Sequence, residues 1–477
     1  MAKTVPPLMT HLRRVAIVGL PNSGKTVLLT SLLMHLKNLS EALTDGAQWK
    51  LKKFRERHHK ATIGKQFAEF PYTEYLRCLT EKGGFPLKTK SETAFSFEMV
   101  LSKGRRHRLY QVDLLDVPGD RFHDIAMCDR GYGEWCDELE KSWQREPHPA
   151  MHAYRSLFDC DAQINAGDAV GKYRELLAHL MVDYRTSITP STFRVNRTGT
   201  STRGRTAEAL LASAKQNPCG VSLDRQFAPI FDEHRRKHES LVATMATHYN
   251  AYRNDIVIPL FRELKACDRL ILLIDVPNLL AAGPGAFEDQ NHLIEQVLDA
   301  LVPKQGVWRS SVRFLRDVVL NVVSSVNLSI RPGKVERVAF VATKADLVAV
   351  SDVRENRLSR LLSQLVKPKS SFLEGLSHEE LVLSAVKSTS NTDKSDDDDS
   401  GWLSGRLQFD GSTTPPTRRK PNDPRVDYKV SRLPKEWPRS WKSDTYLFPE
   451  VFPELPQCRI VCPEQENLKA LFDFIVW

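Results

Sequence analysis

A glycine-rich string near the start of the sequence has the residue types and spacing of a phosphate-binding loop. Residues 19–26 read Gly-Leu-Pro-Asn-Ser-Gly-Lys-Thr and match the P-loop spacing Gly-x-x-x-x-Gly-Lys-Ser/Thr. Glycines let the backbone wrap closely around phosphates, so that successive main-chain N–H groups point at anionic oxygens beside a helix N-terminus. Lys25 is predicted to reach the β- and γ-phosphates, and the Thr26 hydroxyl to ligate Mg²⁺. The predicted nucleotide contacts are Gly19, Asn22, Ser23, Gly24, Lys25, Thr26 and Val27.

A second candidate element is an acidic residue at the end of a predicted strand. Asp116-Val117-Pro118-Gly119 has the Asp-x-x-Gly pattern of a GTPase switch. Asp116 is predicted to support the magnesium site, while the Gly119 N–H can bond the γ-phosphate and respond to its loss. Asp113 is the competing carboxylate, but it lies in the middle of the strand. We therefore prefer Asp116.

A third motif has the residues needed to distinguish guanine from adenine. Thr343-Lys344-Ala345-Asp346 follows an apolar run and resembles the Asn/Thr-Lys-x-Asp motif of GTPases. A carboxylate at Asp346 accepts hydrogen bonds from the ring N–H and exocyclic amine of guanine, which adenine cannot supply. The alternative is that Asp346 caps the next helix. Ser384-Ala385 resembles the fifth GTPase motif, whose backbone contacts the guanine.

The residues that would carry out hydrolysis are less completely defined. Thr89 is the predicted switch threonine that completes the γ-phosphate and magnesium contacts, with Thr93 as the rival. Lys25, Thr89 and Gly119 are thus the predicted catalytic residues, and Thr26, Asp116 and Thr89 the predicted metal ligands. Asp120 stands where Ras-like proteins carry a water-orienting Gln. A carboxylate cannot donate the same hydrogen bond, so slow intrinsic hydrolysis is predicted, completed by a partner or another residue.

Apolar runs in the sequence predict the strands and helices that would position these motifs. A buried strand precedes the phosphate loop, and a helix with inward-facing leucines follows it. Later strands would place the other motifs at their carboxyl ends, where ligands bind in doubly wound α/β folds. The predicted strands are Val15–Gly19, Thr93–Leu101, Arg108–Asp116, Leu270–Val276, Val338–Ala342 and Leu381–Ala385, the second and third forming a hairpin. We therefore predict a mostly parallel sheet with one antiparallel edge strand.

The same patterns divide the chain into segments. Residues 1–124 and 266–386 are predicted to form the two parts of a P-loop core, with a helical excursion at 50–79. Helical periodicity dominates 125–265, which we interpret as a large, mainly helical insertion. Residues 387–425 are acidic and polar and are predicted to be a flexible loop. The C-terminal segment 426–477 would end in a helix at Leu468–Val476.

Composition excludes several classes of protein. The 477 residues are 41% hydrophobic and 27% charged, which excludes wholesale disorder and a collagenous fibre. No apolar run reaches the roughly 20 residues of a membrane-spanning helix, and scattered cysteines without a secretory signal favour the cytoplasm. The net charge of +9 permits, without requiring, attraction to anionic partners. We expect no nucleic acid, and contact with a membrane surface is conceivable but unsupported.

The order of these motifs resembles the YcjX-like P-loop NTPase family. The matching stretches are residues 18–26, Pro86–Thr89, Asp116–Gly119, Phe227-Ala228-Pro229 and Ala342–Asp346. The resemblance implies a bacterial, cytoplasmic, stress-associated GTP-binding hydrolase with a GTPase-like core and a helical insertion. The sequence departs from the family pattern at Asp120, where the pattern has Glu, which leaves the hydrolytic residue open.

The favoured function is therefore a GTPase that uses GTP and Mg²⁺, with an unknown protein partner acting through the helical insertion. Two other functions share the phosphate loop. An ATPase that remodels proteins or membranes would ignore Asp346. A non-hydrolytic scaffold would bind nucleotide only for stability.

Overall fold

The computed structural model describes most of the chain in two compact units. The described residues are 10–20, 22–44, 48–57, 67–86, 91–145, 148–159, 164–182, 189–195, 212, 221–302, 335–392, 400–410, 417–443, 445–454 and 464–477. The first unit comprises Met1–Gly119, Leu264–Asn291 and Pro332–Trp477, and the second comprises Asp120–Glu263 and His292–Arg331, as far as their residues are described. Thr89 lies outside the described residues. Within them, no helix is both long enough and apolar enough to cross a membrane.

The first unit is built on a central sheet of eight strands. Their bounds are β1 Thr10–Gly19, β2 Lys50–Arg57, β3 Ala68–Glu69, β4 Thr93–Lys103, β5 Arg106–Asp116, β6 Arg269–Ile274, β7 Arg337–Ala342 and β8 Ser377–Val382. The strand order is β2-β4-β5-β1-β6-β7-β8, with β3 beside β4. Neighbours from β5 through β1, β6 and β7 to β8 are parallel. The predicted α/β class with a mostly parallel sheet is confirmed.

Two details of that prediction are wrong. The antiparallel strand β4 is not at the edge of the sheet, because β2 pairs antiparallel with its outer side. In its described residues, the predicted helical excursion at 50–79 contains the strand β2 and one helix, Tyr72–Thr80. Only Leu51 of β2 is buried, so this edge strand lacks the alternation that identifies a strand in sequence. Its exposed lysines and arginines are typical of edge strands, where charge prevents pairing with another chain.

Helices cover the sheet and fill its core. The helices of the first unit are Lys25–Lys37, Tyr72–Thr80, Val276–Ala282, Val350–Arg354, Arg357–Val366 and Leu468–Val476, with short 3-10 helices at Glu41–Leu43, Ala345–Leu347 and Lys367–Leu373. Pro284–Leu301 is divided between the units. The leucines of the first helix face inward as predicted, and each is at most 1% exposed. They are Leu28, Leu29, Leu32, Leu33 and Leu36. They share one core cluster with the helix Leu468–Val476, whose bounds were also predicted.

In the second unit, every described element is helical. Its elements are Gly119–Asp129 (3-10), Tyr132–Arg145, Pro149–Arg155, Ser156–Phe158 (3-10), Ala166–Val182, Thr192–Val195, Leu223–Arg225 (3-10), Asp232–Arg235, Glu239–Tyr252, Arg253–Val257 (π) and Ile258–Lys265. The Phe227-Ala228-Pro229 motif lies in its core. The Ala228 and Pro229 carbonyls accept hydrogen bonds from the Tyr132 and Tyr154 hydroxyls at 2.7 and 2.8 Å. This motif therefore has a structural role.

A small antiparallel sheet follows β8 in the chain. It contains β9 Thr389–Asn391, β10 Ser400–Leu407, β13 Val426–Ser431 and β14 Val451–Phe452, and β11 Phe409–Asp410 pairs separately with β12 Thr417–Arg418. The flexible loop predicted for 387–425 is therefore wrong for the described part of that segment. Leu403, Tyr428, Val430 and Val451 form a core with Ala349. The average polarity of the segment conceals these few apolar residues, which are enough to cover a small sheet.

A buried carboxylate attaches the end of β13 of the small sheet to the helix Val350–Arg354. Asp352 is fully buried, and it accepts hydrogen bonds from Arg432 Nε at 2.7 Å and the Leu433 main-chain N–H at 2.8 Å. Arg357 lies 3.5 Å from the same carboxylate. Asp352 thus balances the charge of two arginines and accepts a hydrogen bond from the main chain just after β13.

Asp352→Ala should lower the free energy of unfolding by about 3 kcal/mol, because it leaves two arginines without their buried partner. Urea denaturation of both proteins measures the difference. Glu355→Gln is the matched control, since Glu355 contacts the same arginines from an exposed position. Equal losses in the two variants would show that burial of Asp352 does not matter.

Candidate functional site

The carboxyl ends of five parallel strands bring the predicted motifs to one edge of the central sheet. Asp116, the last residue of β5, lies opposite Ile17 of β1, and Gly19 of β1 lies opposite Leu273 of β6. The last residue of β6 lies opposite the last residue of β7. β8 ends at Val382, so Ser384 and Ala385 follow the strand rather than ending it. Neighbouring strands are about 4.8 Å apart, so roughly 10 Å separates the phosphate loop on β1 from the motif on β7.

The phosphate loop has the backbone geometry of an anion-binding turn. Asn22 and Gly24 both adopt left-handed conformations, with φ of 68° and 88°. The helix that begins at Lys25 has no side-chain cap, which leaves its positive end facing the loop. A Cβ atom on Gly19 would lie 2.6 Å from Ser23 Oγ and 2.9 Å from the Leu273 carbonyl. Any larger residue at position 19 would clash with these atoms, so close packing of the backbone requires glycine there.

Lys25 is folded inside this loop. Its side chain is only 7% exposed, and its ammonium donates to the carbonyls of Gly19 and Leu20 at 2.7 and 3.1 Å. Carbonyl oxygens stabilise a buried cation but carry no full charge. Phosphate oxygens are negatively charged, so in their place they would pair with the ammonium as ion to ion and bind it more strongly than neutral carbonyls do. The ammonium therefore lies where a polyphosphate could bind it.

The structure distinguishes between the two acids of β5. Asp113 accepts a hydrogen bond from Ser96 Oγ at 2.6 Å inside the sheet, and this contact accounts for its burial. Asp116 is fully buried at the end of its strand, beside β1. Thr93, the rival of Thr89, lies directly opposite Asp116 on β4. Asp120 is also fully buried, at the start of the second unit.

The Asp346 carboxylate is held by the segment that follows β8. Its Oδ1 accepts a hydrogen bond from Ser384 Oγ at 2.5 Å, and its Oδ2 accepts one from the Ser388 main-chain N–H at 2.7 Å. Burial raises the pKa of Asp346, although these two hydrogen bonds oppose the shift. The next α-helix, Val350–Arg354, has no side-chain cap, so the interpretation of Asp346 as a helix cap is wrong.

Sequence reasoning missed Asp275, which follows β6. Its Oδ2 lies 2.6 Å from the Lys344 ammonium, and its Oδ1 accepts a hydrogen bond from the Asn278 N–H that begins the next helix. Burial alone would lower the pKa of Lys344, but the Asp275 carboxylate outweighs it and the pKa is raised. The sequence signal that could have identified Asp275 is its position between a buried strand and Pro277.

The polar groups along this edge fit a nucleotide and a magnesium ion. Ser23 Oγ, Thr93 Oγ1 and Thr343 Oγ1 are buried and have no hydrogen-bond partner among the described residues. Buried hydroxyls are normally satisfied, so three of them along one edge are consistent with a polar ligand. Mg²⁺ in such sites needs one or two carboxylates plus substrate phosphates, and Thr26 and Asp116 are the residues that would hold it.

Comparison with known proteins identifies a family and a distant relative. The sequence model of the YcjX-like family, DUF463, matches residues 13–459. A protein of Shewanella oneidensis named Ras-like GTPase YcjX is 22% identical over 410 residues, which cover 80% of this chain and 77% of that protein.

Lys25→Ala should abolish the thermal stabilisation that MgGTP gives the wild-type protein. A ligand at 100 times its dissociation constant adds about 2.7 kcal/mol, which thermal denaturation detects. Lys37→Ala is the matched control, because Lys37 lies on the same helix but contacts Glu56 and the Tyr72 ring. If Lys25→Ala is stabilised as much as wild type, the phosphate loop is not the binding site.

Proposed function

The chain belongs to the YcjX-like family, and from that membership and the site we propose that it is a magnesium-dependent GTPase. The core is a GTPase-like P-loop fold in this proposal, with the helical unit as an insertion. The observation that carries it is a single sheet edge with Lys25 inside a phosphate loop and Asp346 held two strands away. The first binds a polyphosphate and the second reads a guanine.

Each residue at this edge has a defined task in the proposed reaction. The loop amides and the Lys25 ammonium bind the β- and γ-phosphates and hold them in place. The Gly119 N–H donates to the γ-phosphate and detects its loss, and Thr89 completes the contacts from the switch segment. Thr26 and Asp116 would hold Mg²⁺, which would supply positive charge to neutralise the triphosphate. Positioning and electrostatic stabilisation are the main contributions to phosphoryl transfer.

The base contacts are proposed on Asp346, Lys344, Thr343, Ser384 and Ala385. Asp346 accepts two hydrogen bonds from guanine, and Ser384 fixes one of its oxygens. Asp275 keeps the Lys344 ammonium beside the base site. The Ala385 backbone contributes the remaining contact with the guanine.

We expect the intrinsic hydrolysis to be slow. Asp120 follows the Asp-x-x-Gly turn where Ras-like proteins have Gln, and a carboxylate cannot donate a hydrogen bond to orient water. The buried position of Asp120 also suits a structural role better than contact with solvent water. A partner protein that binds the helical insertion is the proposed source of the missing group. A cytoplasmic location and a role in stress are proposed on the family resemblance alone.

GTP should bind more tightly than ATP, measured by calorimetry with magnesium. Asp346→Asn should weaken the binding of GTP and shift the nucleotide preference of the protein toward xanthosine triphosphate. The reason is that the new side-chain amide can donate a hydrogen bond to the 2-oxo group of xanthine. Removal of such a charge-assisted pair costs about 1.5–3 kcal/mol, or roughly 10- to 150-fold in affinity. ATP affinity is the internal control. A wild-type preference for ATP would favour the ATPase alternative, and binding of GTP without turnover would favour the scaffold.

GTP affinity should also fall on acidification at a pH above the ordinary aspartate value of about 4. The pKa of Asp346 is raised, so the carboxylate protonates as pH falls through that higher value and can no longer offer two charged acceptors to guanine. Inorganic tripolyphosphate is the control, because it has phosphates of similar pKa but no base. Parallel losses of affinity for both ligands would mean that Asp346 does not control the pH dependence.

A further inference from the structure

The segment between β8 and the small sheet makes three hydrogen bonds with Asp346. Besides the bonds of Ser384 Oγ and the Ser388 N–H to the carboxylate, Thr389 Oγ1 donates to the Asp346 carbonyl. Thr389 is also the first residue of β9, so the segment passes directly from the carboxylate into the small sheet. The main chain at Ser388 is therefore held from both sides, by its hydrogen bond to Asp346 and by strand β9, which begins at the next residue.

Strand β10 packs against this segment at Gly405 and against Ala349 at Gly401. Thr389 pairs with Gly405, where a Cβ atom would lie 3.3 Å from the Ser388 carbonyl oxygen. A Cβ atom on Gly401 would overlap the side chain of Ala349, three residues after Asp346 in the chain. A side chain at Gly401 would therefore displace its neighbours, whereas one at Gly405 would press on the Ser388 carbonyl by a few tenths of an ångström. The two glycines allow the small sheet to lie directly against the loop that carries Asp346.

A tyrosine of the small sheet is also affected by the charge of Asp346. Tyr428 of β13 is buried, and its ring lies within 3.5 Å of the Cβ position of Gly405. Burial, and next the negative charge of Asp346, raises the pKa of Tyr428. The environment of the acid thus includes β9, β10 and β13.

We propose that Ser388 is a positioning residue for guanine recognition and that the small sheet fixes its place. The inference rests on the proposed function, because it assigns Asp346 to the base. The Ser388 N–H holds one carboxylate oxygen while Ser384 holds the other, which fixes the plane of the carboxylate. A carboxylate has about four acceptor positions, so each oxygen keeps capacity for a guanine N–H. Specificity for the base then depends on a main-chain amide outside the GTPase motifs.

A purely structural role for the same hydrogen bond predicts different behaviour. In that case the bond would only satisfy a buried amide, and its loss would lower stability without changing nucleotide preference. The two roles are separated by binding measurements that compare a guanine nucleotide with an adenine nucleotide and a phosphate chain.

Ser388→Pro removes the N–H, whereas Ser388→Ala keeps it and removes only the hydroxyl. Calorimetry with magnesium should show GDP affinity lowered about tenfold in the proline variant, the size of one charge-assisted bond. Affinity for ADP and tripolyphosphate should stay at wild-type values, because neither uses Asp346. The alanine variant should bind all three ligands like wild type. The pH at which GDP affinity falls should move upward only in the proline variant, since Asp346 loses a bond that favours its charged form.

Gly405→Ala tests the contribution of the small sheet and does not alter Ser388 itself. The added methyl presses on the Ser388 carbonyl, so a smaller loss of GDP affinity in the same direction is expected. Ser404→Ala, at the neighbouring position of β10, is the control and should bind GDP like wild type. This pair also gives an answer if the proline variant does not fold, which circular dichroism will show.

The outcomes separate this inference from the proposed function. If wild type shows no preference for GDP over ADP, the assignment of Asp346 to guanine is wrong and the GTPase proposal fails. If wild type prefers GDP and folded Ser388→Pro and Gly405→Ala keep that preference, the GTPase proposal stands and the role of Ser388 is wrong. Equal losses for GDP, ADP and tripolyphosphate would also overturn it.

Discussion

Burial of two opposite charges at one edge of an apolar sheet is the constraint on which the rest of the site depends. An ammonium and a carboxylate are costly to remove from water unless each is hydrogen-bonded. Lys25 is compensated by carbonyls of its own loop, and Asp346 by Ser384 and Ser388. The turn at Gly24 brings the loop carbonyls to Lys25, and the polar segment after β8 brings Ser384 and Ser388 to Asp346.

The parts of the fold that could be predicted are those in which the apolar pattern of the sequence matches the burial of the residues in the structure. Val15–Gly19 and the leucines of the first helix are apolar because they are buried on several sides, and both were identified. β2 was missed because an edge strand with one buried residue carries no alternating pattern. The small sheet was missed because Leu403 and Tyr428 are too few to offset the polar residues around them.

The candidate site shows the same division between local and long-range information. The phosphate loop and Asp346 belong to short motifs with fixed spacing, so their residues could be named from the sequence. Ser388 and Asp275 act through contacts across 42 and 69 positions, from 346 to 388 and from 275 to 344. Such pairs depend on strand order, which one sequence does not reveal. The Ser388 contact also uses a main-chain amide, which leaves no trace in residue type.

The core face of the central sheet is completed from both ends of the chain. Val15 and Val112 share their cluster with Phe472 and Ile475 of the last helix, and the second unit is synthesised between them. On the ribosome, the first strands emerge long before the helix that shields them. Contacts of such long sequence separation form slowly, and exposed strands invite aggregation in the interval. Until the helix Leu468–Val476 has been synthesised, the apolar residues of β1 and β5 that share its cluster lack that cover.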